Sequence, residues 1–377
     1  MIASRLLPLF ALACLLPVNA QDGTQERAQP AAGGLAWQLK AGDRLPYTLT
    51  FLLEETTELK GLMPPQQVVT EVAYGATHEV KSVNGDVATI EVTVESIRAR
   101  MGMGMMGEMA YDSKQDDTLN PLRGIRHAVG KKFTYQLSRT GKVSQVTGGD
   151  AAVEEINEAM SGEAPPPSND QGGGMGGMMG FDPAAIAAQA CQQMAKVLFA
   201  DKALASILEL VNGILPEDPA AKTWTRAVDM NLPGAGTLKF NSDQTNAGEA
   251  DGNVRITSAV KDLEFERDLT NGQGGPMAEQ MKQMMGESTV TRKDARGSGT
   301  FSASKGRLID SELVVELDSE GDLPPFIKAM MQQQGGGQLP QDVKMSRNTA
   351  VTLRYVLEGS PAGGAEAPKT PGSGEKF

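Results

Sequence analysis

VVTEVAYGATHEVKSVNGDVATIEVTVESIRARM, residues 68–101, reads as two long strands closed by a tight turn. β-Branched and aromatic residues fill both arms, and polar and apolar positions alternate with the period of two that a half-buried strand imposes. On the second arm Ile90, Val92 and Val94 fall on one face. Asn84-Gly85 supplies two residues that tolerate the positive φ of a hairpin turn.

Working outward, the same pattern recurs on both sides. LPYTLTFLLEETTEL (45–59) precedes the hairpin, and KKFTYQLSRTGKVSQV (131–146) forms another, with Phe133, Tyr135 and Leu137 alternating before a Thr140-Gly141 turn. From residue 236 onward GTLKFNSD, NVRITSAVKDLEFERDL, STVTRKDARGSGTFSA, GRLIDSELVVELDSE and SRNTAVTLRYVLE repeat it. Helical periodicity is confined to AAVEEINEAM (151–160) and to residues 183–215, where Asp182 serves as N-cap and Pro183 as first helical residue. Gly213 and Pro216 end that stretch, which reads as two helices. PMAEQMKQMMGE (276–287) and PFIKAMMQQQG (325–335) each predict a short helix between strands, a weak internal echo.

The fold expected is α+β, mainly β: a large curved antiparallel sheet, half-barrel-like, with one face packed and a helical insertion covering it. Along the chain this places a β-rich half at 35–160, a low-complexity loop at 161–181, the helical insertion at 182–216, a second β-rich half at 217–359 and a disordered tail at 360–377.

The first twenty residues, MIASRLLPLFALACLLPVNA, carry Arg5 ahead of an apolar run, and Val18-Asn19-Ala20 provides the small residues of a cleavage site. A secretory signal cleaved after Ala20 is expected, followed by a disordered leader at 21–34 and a periplasmic or secreted destination. Cys14 follows Ala-Leu-Ala, a loose lipobox, with Leu12 where a small residue usually stands. After cleavage at Ala20, Cys191 is the one remaining thiol, so a disulfide framework is not expected. The processed chain carries 34 Lys plus Arg against 47 Asp plus Glu, a charge of −13, which disfavours nucleic acid. No segment approaches 18 consecutive apolar residues, so no transmembrane helix is expected.

Chemistry is sparse. Methionine clusters at Met101, Met103, Met105, Met106 and Met109, again at Met175, Met178 and Met179, and again at Met277, Met281, Met284 and Met285. Thioether sulfur suits Cu(I), which makes the first cluster the candidate metal site, although no His or Cys stands nearby to complete it. Glycine interleaves the first two clusters and predicts flexible, space-filling loops. The third has helical spacing and reads as packing. His78 alternates with Val72, Tyr74, Ala76 and Val80 and belongs on a strand face, whereas His127 lies in a polar connector beside Arg123 and Arg126. Neither has the surroundings of a catalytic triad. Carboxylate pairs (Glu54-Glu55, Asp116-Asp117, Glu154-Glu155) read as solvated faces. KDARGSG and NGQGG read as turns without a phosphate-loop ending, and NSDQTNAGEADGN (241–253) as a hairpin loop. No cofactor and no enzymatic activity are expected.

GKKFTYQLSRTGKVSQVTGGD (130–150) and LPEDPAAKTWTRAVDMNLPGAGTLKF (215–240), following LKAGDRLPYTLTF (39–51), resemble an uncharacterised family of exported bacterial proteins known only as a domain of unknown function. Ala221-Lys222-Thr223 departs from the Gly-Asp pair such sequences carry before the tryptophan. The resemblance implies no catalytic residues. The architecture is also similar to the open half-barrel of periplasmic lipoprotein carriers, which implies an apolar cavity between sheet and helices. The leading expectation is therefore a noncatalytic exported protein whose partner is an apolar small molecule or lipid. The alternatives are a structural or interaction protein of the cell envelope with no pocket, and Met-mediated Cu(I) binding.

Overall fold

A computed structural model of the chain describes residues 34–59, 63–103, 107–115, 120–163, 183–232, 236–267, 288–323 and 344–359. The expected signal with Cys14 and Ala20, residues 164–181 of the expected loop with Asp182, the Met277 and Pro325 helices and the tail from 360 lie outside the described residues, whereas residues 161–163, expected to open that loop, end a helix.

Six strands come from the first half: β1 (Arg44–Leu59), β2 (Met63–Asn84), β3 (Val87–Met103), β4 (Glu108–Asp112), β5 (Lys132–Ser138) and β6 (Val143–Thr147). A 3-10 helix, Pro121–Ala128, separates β4 from β5. Three helices follow, α1 (Gly149–Glu163), α2 (Pro183–Phe199) and α3 (Asp201–Asn212). The second half supplies β7 (Thr223–Leu232), β8 (Gly236–Ala250), β9 (Asn253–Arg267), β10 (Ser288–Ser302), β11 (Arg307–Asp322) and β12 (Lys344–Leu357).

All of these strands join one antiparallel sheet in the order β6-β5-β3-β2-β1-β12-β11-β10-β9-β8-β7, with β4 pairing β3 to the side. The two halves are each a meander, and they meet where β1 runs antiparallel to β12 from Tyr47↔Leu357 to Leu59↔Met345. The helices carry the chain from one edge strand, β6, to the other, β7. Helix α3 packs on both of them, so the sheet bends around it and remains open between its edges.

Local chemistry explains most boundaries. The hairpin between β2 and β3 turns on Gly85-Asp86, one residue later than the Asn84-Gly85 turn expected, because Asn84 still pairs with Val87 and Gly85 takes φ +61°. Asp251 and Gly252 both have positive φ between β8 and β9, as a tight two-residue turn requires. The polar stretch 241–250, expected as a loop, is the outer part of β8, and Gly297 and Gly299 of the expected KDARGSG turn lie inside β10. Both corrections share a cause: strand pairing from two neighbours outweighs weak local propensity.

Helix α3 buries Ala203, Leu204, Ile207, Leu208 and Val211, the face expected from its spacing. Its last turn is latched by Arg226 of β7, which donates to the carbonyls of Glu209 and Leu210, groups that a helix end otherwise leaves unpaired. At its first turn Asp201 Oδ1 accepts from Gly149 N at 2.6 Å, and Asp201 N donates to Asp150 Oδ1 at 3.0 Å, tying α1 to α3.

The segment ahead of β1 fastens parts of the sheet that are distant in strand order. Leu35 N donates to Pro219 O (3.2 Å), Trp37 N to Arg139 O (2.9 Å) and Gln38 N to Gly306 O (2.9 Å). Gly141, in the β5–β6 turn at φ +85°, lies so close to α3 that a Cβ there would stand 2.1 Å from Asn212 O. Gly141→Ala is therefore expected to destabilise by about 2 kcal/mol or more, through both the φ penalty and the clash with backbone. Urea denaturation would read this as a lower midpoint.

Candidate functional site

The inner face of the sheet is the surface the fold builds most deliberately, and three zones divide it. The first is aromatic. Tyr47 (β1) stacks on Tyr355 (β12) with centroids 4.2 Å apart, and His78 (β2) meets Tyr47, Tyr135 (β5) and Tyr355 edge-on. His78 Nδ1 lies 3.1 Å from the Tyr135 hydroxyl, and the Tyr47 hydroxyl donates to Leu308 O at 2.9 Å. Burial drives the His78 imidazole down to about 3, so it is neutral across the physiological range, and burial pushes the tyrosines upward. His78 thus sits on a buried strand face among phenols, without a nucleophile beside it.

The second zone lies between α3 and strands β7 to β11. It is filled: the enclosed space there is about 30 Å³, room for one water. Ser242, Gln244 and Ser258 line it as a hydrogen-bonded chain, Gln244 Nε2 donating to Ser242 Oγ and Ser242 Oγ meeting Ser258 Oγ, each at 2.9 Å. Gly299 allows Ile214 to approach β10, since a Cβ would stand 2.7 Å from Ile214 Cδ1. The location expected for a ligand, between sheet and helices, is therefore occupied by the protein's own side chains over this zone.

The third zone is the stretch of strands beyond the rings. Strand pairing lines up Met109, Met101, Thr70, Leu53, Val351, Val315 and Ala295 as one row from β4 to β10. Val351 and Val315 are buried, and the other members are half-buried. At the sheet's interstrand spacing of about 4.8 Å, seven strands span roughly 29 Å. Val68, in the next row outward, is 43% exposed, and only Val129 matches it among the described large apolar residues. Further along the same face Arg347 Nε pairs with Glu55 Oε1 at 2.9 Å.

The candidate copper cluster is only partly gathered here. Met101 and Met109 stand opposite each other across β3 and β4 and pack against the core, so the expected flexible loop is instead a hairpin arm. Its glycine is no obstacle, because a Cβ at Gly102 would touch only Val69 at 3.8 Å. Met105, Met106 and the side chain of Met103 lie outside the described residues, as does the cluster at Met175 to Met179. Among the described residues no group of three or more His, Cys, Asp or Glu is placed to hold a metal, and no helix is long and apolar enough to cross a membrane. Glu54 and Glu55 lie in β1 and Glu154 and Glu155 in α1, while Asp116 and Asp117 lie outside the described residues. His127 lies in the last turn of the 3-10 helix Pro121–Ala128, where a polar connector was expected.

The segment that runs from the turn of the central hairpin through β3, the helices and the return strands β7 and β8 into β9 also carries a recognisable sequence signature. Residues 85–262 match DUF6263, a family of unknown function. No curated protein matches the chain. Among solved structures the likeness is slight. Lipovitellin, studied for its lipid–protein interactions, is 8% identical at a TM-score of 0.38; the match covers 88% of this chain, which spans only 27% of the lipovitellin chain. A DUF1329 family protein from Desulfovibrio piger is 7% identical at 0.13, over 83% of this chain and 86% of its own. A structure named for an outer membrane lipoprotein-sorting protein domain from Vibrio parahaemolyticus is 8% identical at 0.13, over 84% and 86%. Likenesses this distant carry no functional argument, and the geometry must.

Proposed function

We propose that this is a noncatalytic exported binding protein that holds an apolar, lipid-like molecule against the inner face of its sheet, beyond the helices. The observation that supports this reading is the row from Met109 to Ala295, whose single polar member is Thr70. A surface of this kind offers a long chain continuous dispersion contact, and thioethers at one end adapt to different shapes. The Arg347–Glu55 pair marks a polar limit for an amphiphile lying along the strands. Export rests on the apolar opening of the chain and the small residues up to Ala20.

Native mass spectrometry of protein purified from its exported fraction tests both parts together. The expected result is a chain mass beginning at Gln21 with an added mass that organic extraction removes. A fluorescent fatty-acid analogue is expected to bind the stripped protein saturably, and Leu53→Glu, which places a carboxylate in the middle of the row, to weaken it at least tenfold. Absence of any extractable molecule, together with equal binding by Leu53→Glu, would overturn the reading in favour of an envelope protein with a packed interior.

A further inference from the structure

The polar end of the inner face holds a charge that is balanced and donors that are not. Arg347 of β12 shares its face with Val351 and Leu353, and its side chain is 16% exposed. Glu55 of β1, 30% exposed, brings Oε1 to 2.9 Å from Arg347 Nε. That contact is an ion pair without the alignment of a hydrogen bond, and both Nε and Nη1 of Arg347 are buried with no acceptor. The residues that strand pairing sets beside Arg347, Thr57 on β1 and Ser319 on β11, carry no charge. A buried N–H without an acceptor costs stability, and a guanidinium presents its donors in a fixed fork. What Arg347 lacks is therefore oxygen and not a counter-charge.

The position of the pair says where that oxygen comes from. Four residues along β12, about 13 Å at the rise of a strand, separate Arg347 from Val351 in the apolar row. Between them the face presents Thr349 on β12 and, opposite it, buried Leu317 on β11. A head group held at Arg347 thus leaves its chain on the row. A free carboxylate would supply oxygen, but it would also set a second negative charge beside Glu55, in a chain whose net charge is −12. An ester carbonyl accepts the same N–H bonds without that repulsion.

We infer that the ligand is a neutral acyl ester of the acylglycerol class, whose carbonyl oxygen accepts from Arg347 while its chain crosses the apolar row. This names the ligand class for the binding surface proposed above and rests on that reading.

Competition against the fluorescent fatty-acid analogue on the stripped full chain tests it, with monodecanoylglycerol and decanoate as probes of equal chain length at neutral pH and below their micellar concentrations. The native protein is expected to bind the glyceride at least fivefold more tightly than decanoate. Glu55→Gln, which keeps the size of the side chain and leaves the guanidinium unbalanced, is expected to reverse that order. The paired substitution Arg347→Leu with Glu55→Leu is expected to bind both probes with equal strength, and Leu53→Glu to weaken both alike. A native protein that binds both probes equally, or a Glu55→Gln variant that keeps the native preference, overturns the inference while the apolar row stands as a binding surface. Binding of neither probe overturns the row and the inference together.

Discussion

Phe301→Ala is expected to lower the stability of the folded chain by about 3–5 kcal/mol, near the top of the range for a single core substitution. Phe301 has no exposed surface and ends β10 opposite Val254. Its ring meets Trp37 edge-on, with centroids 5.8 Å apart. That tryptophan belongs to the segment whose amides hold the β5–β6 turn, the β10–β11 turn and the approach to β7, so the cavity would open at the point where the sheet is fastened. Close-packed interiors relax only partly into such a void. The check is urea denaturation: the midpoint falls while the slope with denaturant stays constant. Val68→Ala, at an exposed position, serves as the control and is expected to shift stability by less than about 0.5 kcal/mol. A loss below about 1 kcal/mol for Phe301→Ala would mean that the segment is not packed as described.

Acidification is expected to have an effect of similar size through one residue. His78 is held neutral at about 3 by burial among Tyr47, Tyr135 and Tyr355, while an unfolded histidine titrates near 6.5. The folded value is the depressed one, so below pH 6.5 the unfolded chain binds a proton that the folded chain refuses, and stability falls with pH. The contribution is present in full above pH 6.5 and is lost on the way down to pH 3, about 4 kcal/mol in all. About 2 kcal/mol of that is lost between pH 7 and pH 5, before most carboxylates titrate. His78→Phe keeps an aromatic ring in the cluster and is expected to flatten the stability profile between pH 7 and pH 5. An unchanged slope in that variant would assign the pH dependence to other groups.

The parts of the fold that were legible in the sequence are those fixed by local chemistry. Alternation marked the arms of the central hairpin, and the spacing of Leu204, Ile207, Leu208 and Val211 marked a helix. His78 fell in the strand rhythm and lies buried on β2. The larger misreadings concern segments whose state is decided by the strands beside them. Gly102, beside Met101, and the polar residues of β8 look like loop material, yet each is held in a strand by pairing with a neighbouring strand. The β1–β12 junction joins residues about 300 positions apart, so nothing nearby announces it.

The account depends above all on the two halves of the chain forming a single sheet through β1 and β12, because that junction supplies the middle of the apolar row. Hydrogen exchange of the native protein tests it most directly. Amides of Leu49–Leu53 and Val351–Tyr355 are predicted to exchange slowly and together, at the rate set by global unfolding. Fast exchange along β12 while β1 remains protected by β2 would mean two separate sheets, and neither the row nor the binding surface drawn from it would exist.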